Sequence, residues 1–108
     1  MARARDDDAL DANQCARFLK ALGDPIRIQI IRELQSGPKT VSDLALMLEL
    51  ELANVSHHLR VLYNAQLVTT EREGKYIYYS LRRDIPNNRA LPAGLFDFGC
   101  CKLDMRSR

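Results

Sequence analysis

Between residues 9 and 66, apolar side chains recur at helical spacing in four short stretches separated by glycine, proline and polar caps. ALDANQCARFLKAL (9–22) predicts a first helix with Leu10, Phe18, Leu19 and Leu22 as its main apolar positions, stopped by Gly23. In DPIRIQIIREL, Asp24 suits an N-cap and Pro25 the first turn, where no backbone N–H is needed. Ile26, Ile30, Ile31 and Leu34 form its core stripe, and SGPK then reads as a loop. TVSDLALMLEL opens with Thr40 and Asp43 at capping-box spacing and predicts Leu44, Met47 and Leu48 facing inward. A turn at Glu49–Glu51 leads to LANVSHHLRVLYNAQ, whose buried side is marked by Val55, Leu59 and Leu62. Two short helices joined so tightly predict a helix-turn-helix.

The pattern then changes from period 3.6 to β-branched and aromatic residues. LVTTEREGKYIYYSL, broken at Gly74, predicts a β-hairpin in which Tyr76, Tyr78 and Tyr79 pack the sheet. Beyond Arg83, DIPNNRALPAGLFDFG carries Pro86, Pro92, Gly94 and Gly99, too many breakers for a regular helix. The expected fold is mainly α with a β-hairpin wing: a winged helix-turn-helix over residues 1–83, followed by an irregular cysteine-containing tail over 84–108.

Composition narrows the class. The chain has 108 residues, 46% apolar and 28% charged, which fits one soluble domain with a single modest core. Apolar runs are too short to span a bilayer, and MARARDDDAL lacks the apolar stretch of a signal peptide, so a reducing cytoplasm is expected and a membrane partner is not. Three cysteines, an odd number, argue against a disulfide framework. The net charge of +2 is uneven: residues 52–83 carry five basic and two acidic side chains, a local excess compatible with a nucleic-acid face. No acid/base or nucleophile constellation appears, so an enzyme is not expected.

The order helix-turn-helix then hairpin resembles the ArsR/SmtB family of bacterial metal-sensing repressors. FLKALGDPIRIQIIREL (18–34), TVSDLALMLEL (40–50), NVSHHLRVLYNAQLV (54–68) and REGKYIYYSL (72–81) carry the resemblance. It implies a homodimer that binds double-stranded, palindromic operator DNA, with recognition helices meeting major grooves about 34 Å apart. On the recognition helix it favours DNA contact by Ser56 and His57, with Asn54 and Arg60 beside them. Asn54 and Ser56 can reach base edges or phosphates, and Arg60 can grip guanine or a phosphate. Arg72 and Lys75 flank the wing turn, placed for phosphates or the minor groove, although a merely solvated turn accounts for them equally well. His58 reads as a packing residue at the edge of the core. The sequence departs from the family pattern in two places. Glu49 and Glu51 stand where a Gly turn and a Ser cap are usual, and the usual long last helix is replaced by the tail. Helix 9–22 must then carry more of the dimer interface, with Leu95, Phe96 and Phe98 filling in for the lost helix.

The resemblance also implies a sensor site. The usual cysteine site in the helix before the recognition helix is absent, and the tail has no histidine. Cys15, Cys100 and Cys101 remain as thiolate ligands for a soft, three-coordinate inducer, As(III) or Sb(III), with no organic cofactor. A pliable tail would close around it, and binding would release the DNA. Redox or reactive-sulfur sensing by the same thiols, or Cd(II) or Pb(II) sensing, are the alternatives.

Overall fold

Four helices and two hairpins make up the described part of the chain, residues 12–82, 92, 94–98 and 101–106 of this computed structural model. The helices are α1 (Ala12–Ala21), α2 (Pro25–Leu34), α3 (Val41–Leu48) and α4 (Leu52–Asn64). The strands are β1 (Val68–Glu73), β2 (Tyr76–Leu81), β3 (Leu95–Asp97) and β4 (Lys102–Asp104). The architecture is a winged helix-turn-helix, as expected.

Local chemistry sets the helix ends. The Asp24 carboxylate accepts from the N–H groups of Ile26 and Arg27 at 2.8 and 3.3 Å, satisfying donors that α2 leaves unpaired. The capping box of α3 is complete: Asp43 N–H donates to Thr40 Oγ1 at 3.0 Å and Thr40 N–H to Asp43 Oδ2 at 3.1 Å. Helix α3 ends in a Schellman turn, with Leu50 N–H donating to the Ala45 carbonyl and Glu49 held left-handed at φ 57°. Helix α4 ends the same way through Leu67 N–H on the Leu62 carbonyl, with Gln66 at φ 67°. Neither αL position has the glycine that would occupy it without steric cost.

One core joins all four helices to the base of the wing. Phe18, Leu22, Ile30, Ile31, Leu34, Leu44, Val55, Leu59, Leu62, Leu67 and Val68 are buried. Burying each aliphatic side chain contributes about 1.5–3 kcal/mol. One inward assignment does not hold: Met47 is nearly half exposed, on the flank of its helix's apolar stripe. Leu19, a main apolar position of α1, is likewise nearly half exposed. Leu10 lies outside the described residues. The wing pairs Val68 with Leu81 at its base and Glu73 with Tyr76 at its tip. Lys39 adds a bridge to the other side of β2, exchanging both backbone hydrogen bonds with Tyr79. Only the base of the wing is packed: Tyr79 leans on the core, whereas Tyr76 is half exposed and takes Lys75 over its ring at 5.7 Å.

The tail departs furthest from expectation. Where breakers suggested irregular chain, β3 and β4 pair in antiparallel register from Leu95–Asp104 to Asp97–Lys102. Phe96 on β3 and Phe98, the residue just past its end, stack at 6.0 Å, and both are buried in the chain's own core. They complete this subunit's core and are not left over to build an interface in place of a missing helix.

Candidate DNA interface and cysteine site

The recognition helix presents a polar stripe because its apolar residues are fully used. Val55, Leu59 and Leu62 are buried to 0% exposure, which turns Ala53, His57, Arg60 and Asn64, spaced by three and four, to solvent. Asn54, His57 and Arg60 are exposed and Ser56 is half-buried. All four stand on α4, three of them in its first two turns, where N–H groups and the positive helix end favour phosphate. Arg72 and Lys75 are both exposed at the wing tip. Strand alternation separates charges there: Glu71 and Glu73 line a shallow hollow with Pro38, Tyr78 and Ser80, and Arg72 projects from the opposite face.

Two further residues mark this face. Leu52, the first residue of α4, is 55% exposed at the helix end that would enter a groove, where an apolar side chain suits a thymine methyl. Glu51 occupies the N-cap position without making a side-chain cap hydrogen bond, so its carboxylate stands beside the same end.

Behind the stripe, His58 is buried, as the core-edge assignment required. Its Nδ1 lies 3.0 Å from Arg27 Nη1 and 4.0 Å from Asp24 Oδ1, and its ring meets that of His57 edge-on at 5.3 Å. Burial pushes the His58 pKa down; Asp24 opposes this, and the charges of Arg27 and His57 reinforce it. The Asp24 carboxyl is held low. Partial desolvation acts against that, but the N–H groups of Arg27 and Ile26, together with nearby His58 and Arg27, outweigh it.

At the other end of the molecule the tail hairpin lies against α1 and α2. The Phe98 ring sits 5.9 Å from that of Phe18, one helical turn beyond Cys15. Phe98 N–H also donates to the Cys101 carbonyl at 2.9 Å, so the Cys101 end of the hairpin is the end carried onto α1. Gln35, at the C-cap of α2, fixes the hairpin's start: its amide donates to the Pro92 and Leu95 carbonyls and accepts from Gly94 N–H at 2.7 Å. Arg32 Nη2 donates to the Met105 carbonyl. Gly94, at φ 91°, passes so close to Arg106 that a Cβ would stand 3.0 Å from its Cγ.

Cys15 is half-buried and disulfide-bonded; Cys101 is a half-buried free thiol; Cys100 lies outside the described residues. A disulfide sulfur is no thiolate, so in this state Cys15 offers no ligand to a soft ion. Among the described residues no three metal-ligating side chains stand together. The sulfur donors fit a thiophilic ion chemically once Cys15 is reduced.

Comparison with known proteins agrees with the winged helix-turn-helix fold. The profile of the family described as "Bacterial regulatory protein, arsR family" matches residues 24–70, from the cap of α2 into β1. The transcriptional regulator NmtR of Mycobacterium tuberculosis is 46% identical over 74 residues, 68% of this chain and 62% of NmtR, so the chain spans under two thirds of that relative. An arsenical resistance operon repressor of Staphylococcus xylosus is 30% identical over 97 residues, covering 87% of this chain and 93% of the repressor. Among solved structures, a homodimeric winged helix-turn-helix DNA-binding domain, Mb0332 from Mycobacterium bovis, is 34% identical. It superposes with a TM-score of 0.62 over 75% of each chain.

Proposed function

Because the chain belongs to the ArsR family of bacterial regulatory proteins, we propose that it is a dimeric transcriptional repressor whose grip on operator DNA is released at Cys15, Cys100 and Cys101. As(III) or Sb(III) is the inducer. The named relatives are transcriptional regulators, and the family is not one of enzymes.

The observation that carries this reading is the docking of the tail on α1. Phe98 against Phe18 brings the Cys101 end of the hairpin to the helix that holds Cys15, which supports a shared site for sulfurs far apart in sequence. Soft, three-coordinate metalloids match three thiolates better than zinc does, since zinc favours four tetrahedral ligands. The S. xylosus repressor, an arsenical one by name, aligns along nearly its whole length and supports the choice of metalloid. Support for DNA binding comes from the stripe of Asn54, Ser56, His57 and Arg60 with Arg72 and Lys75 on the wing. Support for pairing comes from Leu19, 45% exposed on α1 and one turn from Cys15, and from the homodimeric M. bovis domain. Bound thiolates draw the hairpin and α1 into a different relation, and DNA affinity falls by a coupling free energy of about 1–3 kcal/mol.

A second reading is favoured by one specific observation, the disulfide at Cys15. In it the same tail senses oxidants or reactive sulfur, and the closed bond is itself the signal. Fluorescence anisotropy with a palindromic duplex distinguishes them. The metalloid reading expects the reduced dimer to bind and arsenite to weaken binding about tenfold. The redox reading expects oxidation alone to weaken it. Affinity that responds to neither overturns both.

A further inference from the structure

Arg27, in the first turn of α2, touches three helices at once. Its Nε donates to the carbonyl of Ala21, the last residue of α1, filling an acceptor the helix end leaves unpaired. Its Nη1 donates to His58 Nδ1 on α4 at 3.0 Å, and its backbone N–H is held by Asp24 at 3.3 Å. A guanidinium has only donors, so His58 Nδ1 must accept, which makes His58 neutral with its proton on Nε2. One residue earlier on α4, the His57 ring abuts that of His58 at 5.3 Å on the exposed stripe.

We propose that Arg27 is the positioning residue that transmits a change at Cys15 on α1 to the DNA-facing His57 side of α4. The inference rests on the reading that Cys15 is the sensor. Cys15 and Ala21 share one ten-residue helix, and a helix moves as a rod, so displacing its cysteine displaces its final carbonyl. The guanidinium is a rigid planar fork. It cannot follow the Ala21 carbonyl and hold His58 Nδ1 at once when the two separate, because a hydrogen bond weakens steeply once bent or stretched. When Arg27 lets go, His58 has a second partner, Asp24 Oδ1 at 4.0 Å, which an Nδ1–H tautomer or a protonated ring can engage. The charged groups facing His58 are Asp24 and Arg27 from α2 and His57 from its own helix, so the exchange is set by these three. The ring thus has two arrangements, one held by the tether and one without it.

Histidine side-chain nitrogen NMR tests this in the full chain, with the Cys15 disulfide closed and then opened by excess phosphine. In wild type, opening it shifts the His57 and His58 ring resonances and the His58 tautomer ratio. In Arg27→Met those shifts vanish, and the effect of arsenite on operator affinity of the reduced dimer drops from about tenfold to about twofold or less. Arg27→Lys guards against simple unfolding: its ammonium keeps one of the two side-chain bonds and the native melting transition, yet also fails to transmit. Ring shifts as large in Arg27→Met as in wild type, or no shifts in wild type, overturn the proposal. Shifts in wild type with operator affinity unchanged by both arsenite and oxidation leave the tether standing and defeat the sensor reading instead.

Discussion

Glu49 and His58 show how much a single residue decides here. Glu49 occupies a left-handed position at the turn between α3 and α4, where a side chain costs about 1–2 kcal/mol relative to the right-handed region. Glu49→Gly is expected to stabilise the fold by about 0.5–1 kcal/mol, part of the gain being offset by glycine's unfolded-state entropy. A raised urea midpoint with unchanged slope checks it; a lowered midpoint means the carboxylate makes a contribution the turn geometry does not reveal. His58 gives the pH dependence. Its folded pKa lies below the ordinary 6.5, so unfolded chains take up a proton first as pH falls. Stability is therefore full above pH 6.5 and declines as pH drops from there toward the folded value. Asp24, depressed from 3.8, adds a second loss below that value. Denaturation midpoints between pH 7 and 5 check the first step, and His58→Asn should flatten it. The caps at Asp24 and Thr40 were legible because they act through neighbours in sequence. Arg27 was not, since nothing in the order of residues announces that it reaches a carbonyl six residues back and a ring thirty-one ahead.

At the level of elements, helices and wing followed from periodicity, and the tail did not. Counting Pro86, Pro92, Gly94 and Gly99 as breakers correctly excluded a helix, yet Leu95-Phe96-Asp97-Phe98 also alternates with the period of a strand. So short a strand gains stability only because Phe18, Gln35 and Arg32 receive the hairpin, partners that periodicity does not report. Met47 was misplaced, and Leu19 is left half exposed, for a related reason: a wide apolar stripe exceeds what one small core can cover. The hairpin's attachment is open to test. Gly94→Ala forces a Cβ against Arg106 at a left-handed position, and Gln35→Ala removes three hydrogen bonds to the tail. Each is expected to speed hydrogen exchange at Phe96 and Phe98 by about tenfold or more, leaving α4 unchanged. Equal acceleration in both regions means the hairpin and the recognition helix unfold as one unit.

On the scale of the whole molecule, the chain divides its labour between two ends of one core. The α4 stripe and wing form the proposed DNA face, the α1–tail contact the proposed sensor end, and α2 lies between with Asp24 and Arg27 toward the first and Arg32 and Gln35 toward the second. On the proposal above, α2 is the brace through which a thiol event reaches the DNA face. DNA binding itself should be strongly salt-dependent, because each phosphate neutralised by Arg60, Arg72 or Lys75 releases condensed counterions. Lys75→Ala should lower the slope of log affinity against log salt by about one for each phosphate the lysine neutralises. An unchanged slope removes the wing from the interface.

The most direct test is operator affinity of the reduced dimer, measured by anisotropy with and without arsenite, for wild type and Cys15→Ser side by side. Arsenite should weaken wild-type binding about tenfold and leave Cys15→Ser bound with its original affinity. A Cys15→Ser protein that arsenite still strips from DNA as readily as wild type would contradict the account.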